Sequence, residues 1–87
     1  MVDILGTLSQ EMDGLSRSEQ RIATIIFDDR PFAVNASIIE LAARAEVSPP
    51  TVTRFCRRLG CQSFSDFKVR LAQSAFIGQR YEEPQSN

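Results

Sequence analysis

The sequence holds no histidine and no tryptophan, and only two cysteines. Without histidine there is no imidazole base for a nucleophilic triad and no nitrogen ligand for zinc. Cys56 and Cys61 form an isolated C-x4-C pair, whereas a structural zinc site needs four ligands. Both are read as reduced thiols, with Cys56 buried as a small apolar residue. No metal, no cofactor and no enzymatic activity are expected. Long apolar runs are missing too. None approaches the roughly 20 residues of a membrane helix, and no secretory pattern follows Met1. The chain is therefore expected in the cytoplasm, with no membrane partner. No segment sustains apolar–polar alternation between turn signals, so no strands are expected.

What the sequence does contain is helical punctuation. Its 87 residues, 43% of them hydrophobic, suit one domain with one modest core. Ser16-x-x-Glu19 and Ser37-x-x-Glu40 are capping boxes, and Ser63-x-x-Asp66 is a weaker relative. Apolar residues then recur at helical spacing in five stripes. Leu5, Leu8, Met12 and Leu15 make the first, and Ile22, Ala23, Ile25 and Ile26 the second. Ile38, Leu41, Ala42 and Ala45 make the third, and Val52, Phe55, Cys56 and Leu59 the fourth. Phe64, Phe67, Leu71 and Ala75 make the fifth. Pro31 opens a short helical turn over 31–34, and the polar ending YEEPQSN reads as linker or frayed terminus. The expected fold is all-α, a compact bundle of about five helices containing a helix-turn-helix.

Net charge is only −1, but it is unevenly spread. Residues 1–36 carry three basic and six acidic groups, whereas residues 37–80 carry seven basic and three acidic. A basic middle in an acidic chain is what a localised phosphate-binding face produces, although charge runs are more often plain solvated surface. The third and fourth stripes are separated only by Glu46, Val47 and Ser48. So short a turn favours the steep crossing of a helix-turn-helix, with an antiparallel hairpin as the competing geometry. Val47 is the apolar residue such a turn buries. Ser48 is read as the N-cap, acting through the amide of Thr51, and Gly60 as the C′ glycine.

Within SPPTVTRFCRRLG, residues 48–60, the wheel sets Pro50, Arg54 and Arg57 opposite the apolar stripe, with Thr53 and Arg58 on the flanks. Proline at the first helical position loses only a donor that would be orphaned anyway. In a major groove, arginine binds guanine O6 and N7 bidentately, and threonine methyls or proline rings pack on thymine methyls. Recognition helices touch bases with their N-terminal half, which assigns Pro50, Thr53 and Arg54 to base edges. Arg57 and Arg58 suit phosphates or groove walls. The plainer alternative is an amphipathic surface helix in a protein-interaction or dimerisation module that never touches DNA.

The run SIIELAARAEVSPPTVTRFCRRLGCQSFSDFKVRLAQS, with LSRSEQRIATII and DDRPFAV before it, resembles the helix-turn-helix domain of the RpiR family of bacterial sugar-metabolism regulators. Within that family, RFCR and LAQS are most similar to the HexR-type repressors. The resemblance implies a repressor that binds a double-stranded operator; helix-turn-helix proteins usually read two half-sites about 34 Å apart, so a homodimer is expected as well. It also implies a C-terminal sugar-isomerase-type domain that binds a phosphosugar effector. By this reading residues 1–77 are the DNA-binding domain, 78–87 begin the interdomain linker, and the effector domain is absent. Carried over by position, Pro49 joins Pro50, Thr53 and Arg54 as base-facing. Ser48, Thr51, Arg57 and Arg58 face phosphate or groove wall, and Ser37, Ser63, Ser65 and Lys68 are candidate phosphate contacts. For each of these serines, helix capping serves equally well. Glu46 stands where the family commonly has glycine: either the turn is not left-handed or Glu46 tolerates strain.

Some apolar residues exceed what one core needs. Ile4 on the first helix and Val69, Phe76 and Ile77 near the end are candidates for a dimer contact. Alternatively, Phe76 and Ile77 dock on their own domain or on the absent one.

Overall fold

Every helix needs partners for its first amides, and in this chain acidic and hydroxyl side chains supply one or two at most helix starts. The computed structural model describes residues 3–74. Helix α1 (Ile4–Glu11) starts at Asp3, whose carboxylate accepts from the amides of Leu5 at 2.8 Å and Gly6 at 3.0 Å. A 3-10 turn, Met12–Gly14, leads into α2 (Arg17–Asp28). Both capping boxes form. Ser16 and Glu19 exchange bonds at the start of α2, and Ser37 and Glu40 do so at the start of α4 (Ile38–Ala45). The expected turn over 31–34 is a six-residue helix, α3 (Arg30–Asn35), capped by Asp29 and primed by Pro31. Helix α5 covers Pro49–Arg58, and α6 covers 64–74 behind the Ser63 cap. Among the described residues there are no strands.

The core lies where α2 packs against α3, α4 and α5, closed by α1 and α6. Leu8, Ile22, Ile26, Leu41, Val52, Phe55, Phe67 and Leu71 are fully buried. Phe55 and Phe67 meet edge to face, ring centroids 5.9 Å apart, which joins α5 to α6. Such a pair contributes about 0.5–1.5 kcal/mol beyond its area. The stripes expected on α4 and α5 are the buried ones, with Ile38 half-buried at the edge. Ala75, expected in the last stripe, lies outside the described residues.

The first stripe faces the core as expected, with Leu8 and Leu15 buried and Leu5 and Met12 packed at its edge, but Ile4 joins it. Ile4 is only 5% exposed and belongs to the core, whereas Leu5 is half-buried. Asp3 sets the helix start, and from there Ile4 and Leu8, four residues apart, share the inward face. Ile4 is thus withdrawn from the dimer candidates. The helix also stops at Glu11, so Leu15 reaches the core from beyond the 3-10 turn. The Gln20 side-chain amide donates to the carbonyls of Met12 and Leu15 and holds that turn.

Candidate nucleic-acid interface

Helix α4 ends in a turn whose hydrogen bonds run from Glu46 N–H to the Ala43 carbonyl and from Val47 N–H to the Ala42 carbonyl. These are the paired bonds of a Schellman motif, which requires a left-handed residue at its hinge. Glu46 supplies it, with φ 60° and ψ 44°, so of the two alternatives the strained one holds. Val47 packs against the core as expected. The same motif closes α5: Gly60 N–H bonds the Arg57 carbonyl, Cys61 N–H bonds the Cys56 carbonyl, and Gly60 has φ 91°. Both thiols are buried there. Burial pushes the Cys56 thiol up to about 12, and it raises that of Cys61 as well. Helix α5 is therefore held between two turns of one type, one built on glycine and one on glutamate.

Its N-terminus differs from the expectation. Ser48 makes no side-chain cap. Pro49 and Pro50 have no amide to offer, and the Thr51 amide bonds the Ser48 carbonyl at 3.0 Å instead. The Ser48 hydroxyl pairs with the Thr51 hydroxyl at 2.9 Å. The outward surface of α5 is a shallow concavity lined by Pro49, Pro50, Thr53, Arg54 and Arg57, opposite the buried Val52, Phe55, Cys56 and Leu59. Pro49, Pro50, Arg54 and Arg57 are exposed and Thr53 is half-exposed.

Ion pairing separates the basic residues. Arg44 binds Asp29 at 3.0 Å and lies 4.4 Å from the Phe32 ring centroid. Arg70 binds Asp66 at 3.3 Å. Arg58 is exposed but anchored: its Nε donates to Glu19 Oε2 at 3.2 Å. Glu19 is buried, and its other carboxylate oxygen completes the α2 capping box. Burial alone would raise the Glu19 carboxyl, but Ser16 and Arg58 outweigh it and hold it below the usual range. Arg54 and Arg57 have no carboxylate partner among the described residues, and Arg54 only reaches the Thr51 hydroxyl at 3.5 Å.

The remaining candidates are dispersed along helix starts. The hydroxyls of Ser37 and Ser63 act as caps, accepting from the amides of Glu40 and Asp66. Ser65 is exposed, and the Lys68 ammonium sits 5.5 Å from the Phe64 ring centroid. Val69 is 58% exposed, while Phe76 and Ile77 lie outside the described residues. Sequence reasoning missed Glu19 as the anchor of Arg58. The only local signal was its place in a capping box, which does not reveal a partner 39 residues away.

The helix-turn-helix domain of the rpiR family matches residues 2–76. The HTH-type transcriptional regulator HexR of Escherichia coli K12 is 39% identical over 80 residues, covering 92% of this chain and 28% of that protein. The bifunctional protein glk of Paraburkholderia xenovorans LB400 is 45% identical over 65 residues, covering 75% of this chain and 10% of that protein. The crystal structure of the N-terminal domain of ybbH from Bacillus subtilis 168 aligns with a TM-score of 0.75 at 30% identity, covering 79% of this chain and 84% of that one. The chain thus spans under a third of the length of these curated relatives.

Proposed function

The chain belongs to the rpiR family of helix-turn-helix domains, and on that premise we propose that it is the DNA-reading part of a bacterial regulator of sugar metabolism. The observation that carries this reading is the division of arginines. Within the basic segment, among the described residues, Arg44, Arg58 and Arg70 are held by carboxylates, whereas Arg54 and Arg57 project from the face of α5 opposite the core without one. Helix α5 lies in the major groove, with Pro49, Pro50, Thr53 and Arg54 at base edges and Arg57 at the groove wall. No catalytic role is assigned to this segment. The match to the bifunctional relative covers a tenth of that protein.

The larger assembly follows the same reading. Residues 1–77 read DNA, 78–87 begin a linker, and a sugar-isomerase-type domain beyond it binds the phosphosugar effector. The whole acts in the cytoplasm as a repressor. A second copy pairs through Val69 and the segment containing Phe76 and Ile77, giving two half-sites about 34 Å apart.

The test is titration of duplex DNA at two ionic strengths, using a site selected from a random pool and a scrambled control. Each phosphate contact contributes about −0.9 to the slope of log K against log salt. Arg54→Ala is expected to cost about 1–3 kcal/mol on the selected site and far less on the scrambled one. Binding that ignores salt overturns the reading, and parallel losses on both duplexes overturn the role of Arg54.

A further inference from the structure

Beside the outward surface of α5 lies a second concavity, an open cleft between α5 and the first turn of α2. Three guanidiniums line it, those of Arg54, Arg57 and Arg58, together with three hydroxyls, those of Ser16, Ser18 and Thr51. The only carboxylate in the lining, that of Glu19, is already engaged, one oxygen with the Ser16 amide and the other with Arg58. Because Arg58 uses Nε for that pair, both of its terminal amino groups remain available. Three cations against one carboxylate leave the cleft with a net positive charge.

A site rich in guanidinium and hydroxyl donors, with no apolar anchor, takes an anion bearing several acceptor oxygens, and phosphate fits that description. Two sources share the chemistry, a free phosphate ester and a phosphodiester of the DNA backbone. The backbone is favoured because Arg54 and Arg57 line both this cleft and the surface formed with Pro49, Pro50 and Thr53. A strand bordering the groove that holds α5 must run along the flank of that helix. We propose that the cleft seats a backbone phosphodiester at the edge of that groove, with Ser18 as the contribution of α2. Glu19 is a positioning residue, fixing Arg58 at the cleft wall. The inference rests on the DNA-reading function proposed above and adds α2 to the interface.

Ser18→Asp separates binding from folding. An acid in the first turn of α2 suits the helix dipole, so the fold should be as stable or more so. The new charge would repel a phosphate. Gln10→Glu, on α1 and outside the cleft, changes net charge equally and serves as control. With the 87-residue chain and a duplex at fixed salt, Ser18→Asp should lower affinity about tenfold or more and flatten the salt slope by about one contact. Gln10→Glu should do neither. If both variants bind alike while Arg54→Ala still loses the selected site, the cleft is not a backbone seat and the proposed function stands. If the unaltered chain shows no salt-dependent binding, the function fails and the cleft proposal with it. Saturable binding of glucose 6-phosphate that Ser18→Asp abolishes would assign the cleft to a free ester and overturn the backbone assignment.

Discussion

Glu46 is an exposed, unbranched acid in a left-handed hinge between α4 and α5. An L-residue in that region costs roughly 1–2 kcal/mol, part of which glycine regains before its own larger loss of chain entropy. Glu46→Gly is therefore expected to stabilise the fold by about 1 kcal/mol, raising the melting temperature by about 4–8 °C. A thermal melt checks it, and an unchanged or lower midpoint would mean the turn is relaxed in solution. Gly60, the matching hinge at the other end of α5, meets nothing within 4 Å where a Cβ would stand. Only its backbone angle resists substitution there. The identity of residue 46 did not disclose its conformation, because glutamate carries no left-handed preference. What disclosed it was the pattern of bonds around it.

At the level of elements, helix starts were the most legible part of the sequence. Serine and glutamate three residues apart marked α2 and α4, because both halves of a capping box are local. The face of α5 was legible for the same reason: its period does not depend on any other helix. The burial of Ile4 was not, since Ile4 and Leu5 are adjacent apolar residues and only packing against the other helices decides which is more enclosed. The Glu19–Arg58 pair was hidden because it is made by tertiary packing. The caps also give the protein a defined response to acid. The Gly6 amide at Asp3, the Arg44 guanidinium at Asp29 and the Gln62 amide at Asp66 hold those carboxyls below their usual range. Glu19 is lowered too, despite its burial. A carboxyl lowered in the folded state contributes stability that is present above its unfolded value and lost as pH falls through the folded one. Unfolding midpoints should thus be flat near neutrality and fall on acidification from about pH 4.5. Glu19→Gln should make that fall shallower. A midpoint that rises between pH 5 and pH 3 contradicts the capping account. The start of α5 has no acidic residue in its first turn, so acid acts on its neighbours first.

Across the whole molecule, the described residues include three large apolar side chains that the core does not explain: Phe27 on α2, Ile39 on α4 and Val69 on α6. The proposed pairing uses Val69. Sedimentation at micromolar concentration should show self-association that Val69→Glu weakens, while the variant keeps its melting temperature. A clean monomer would place pairing outside residues 1–87. Charge at this scale is legible only by segment. The net −1 concealed a basic middle, and within that middle only the structure separated partnered from unpartnered arginines.

The two buried thiols make α5 its own reporter. Cys56 is fully enclosed, and Cys61 is 3% exposed at the turn behind it. A thiol with its proton held to about 12 and no path to solvent cannot meet an alkylating reagent while α5 is seated. Labelling must wait for the last turn of α5 to lift away from α6, so its rate counts those openings. A duplex that binds only the seated helix opposes them by mass action, by about 2.7 kcal/mol at 100 times its dissociation constant. Labelling should then slow about a hundredfold. If saturating duplex leaves the rate unchanged, opening at the thiols and DNA binding are independent events. If it slows as expected, the pace of alkylation measures occupancy of the groove without any tag on protein or DNA.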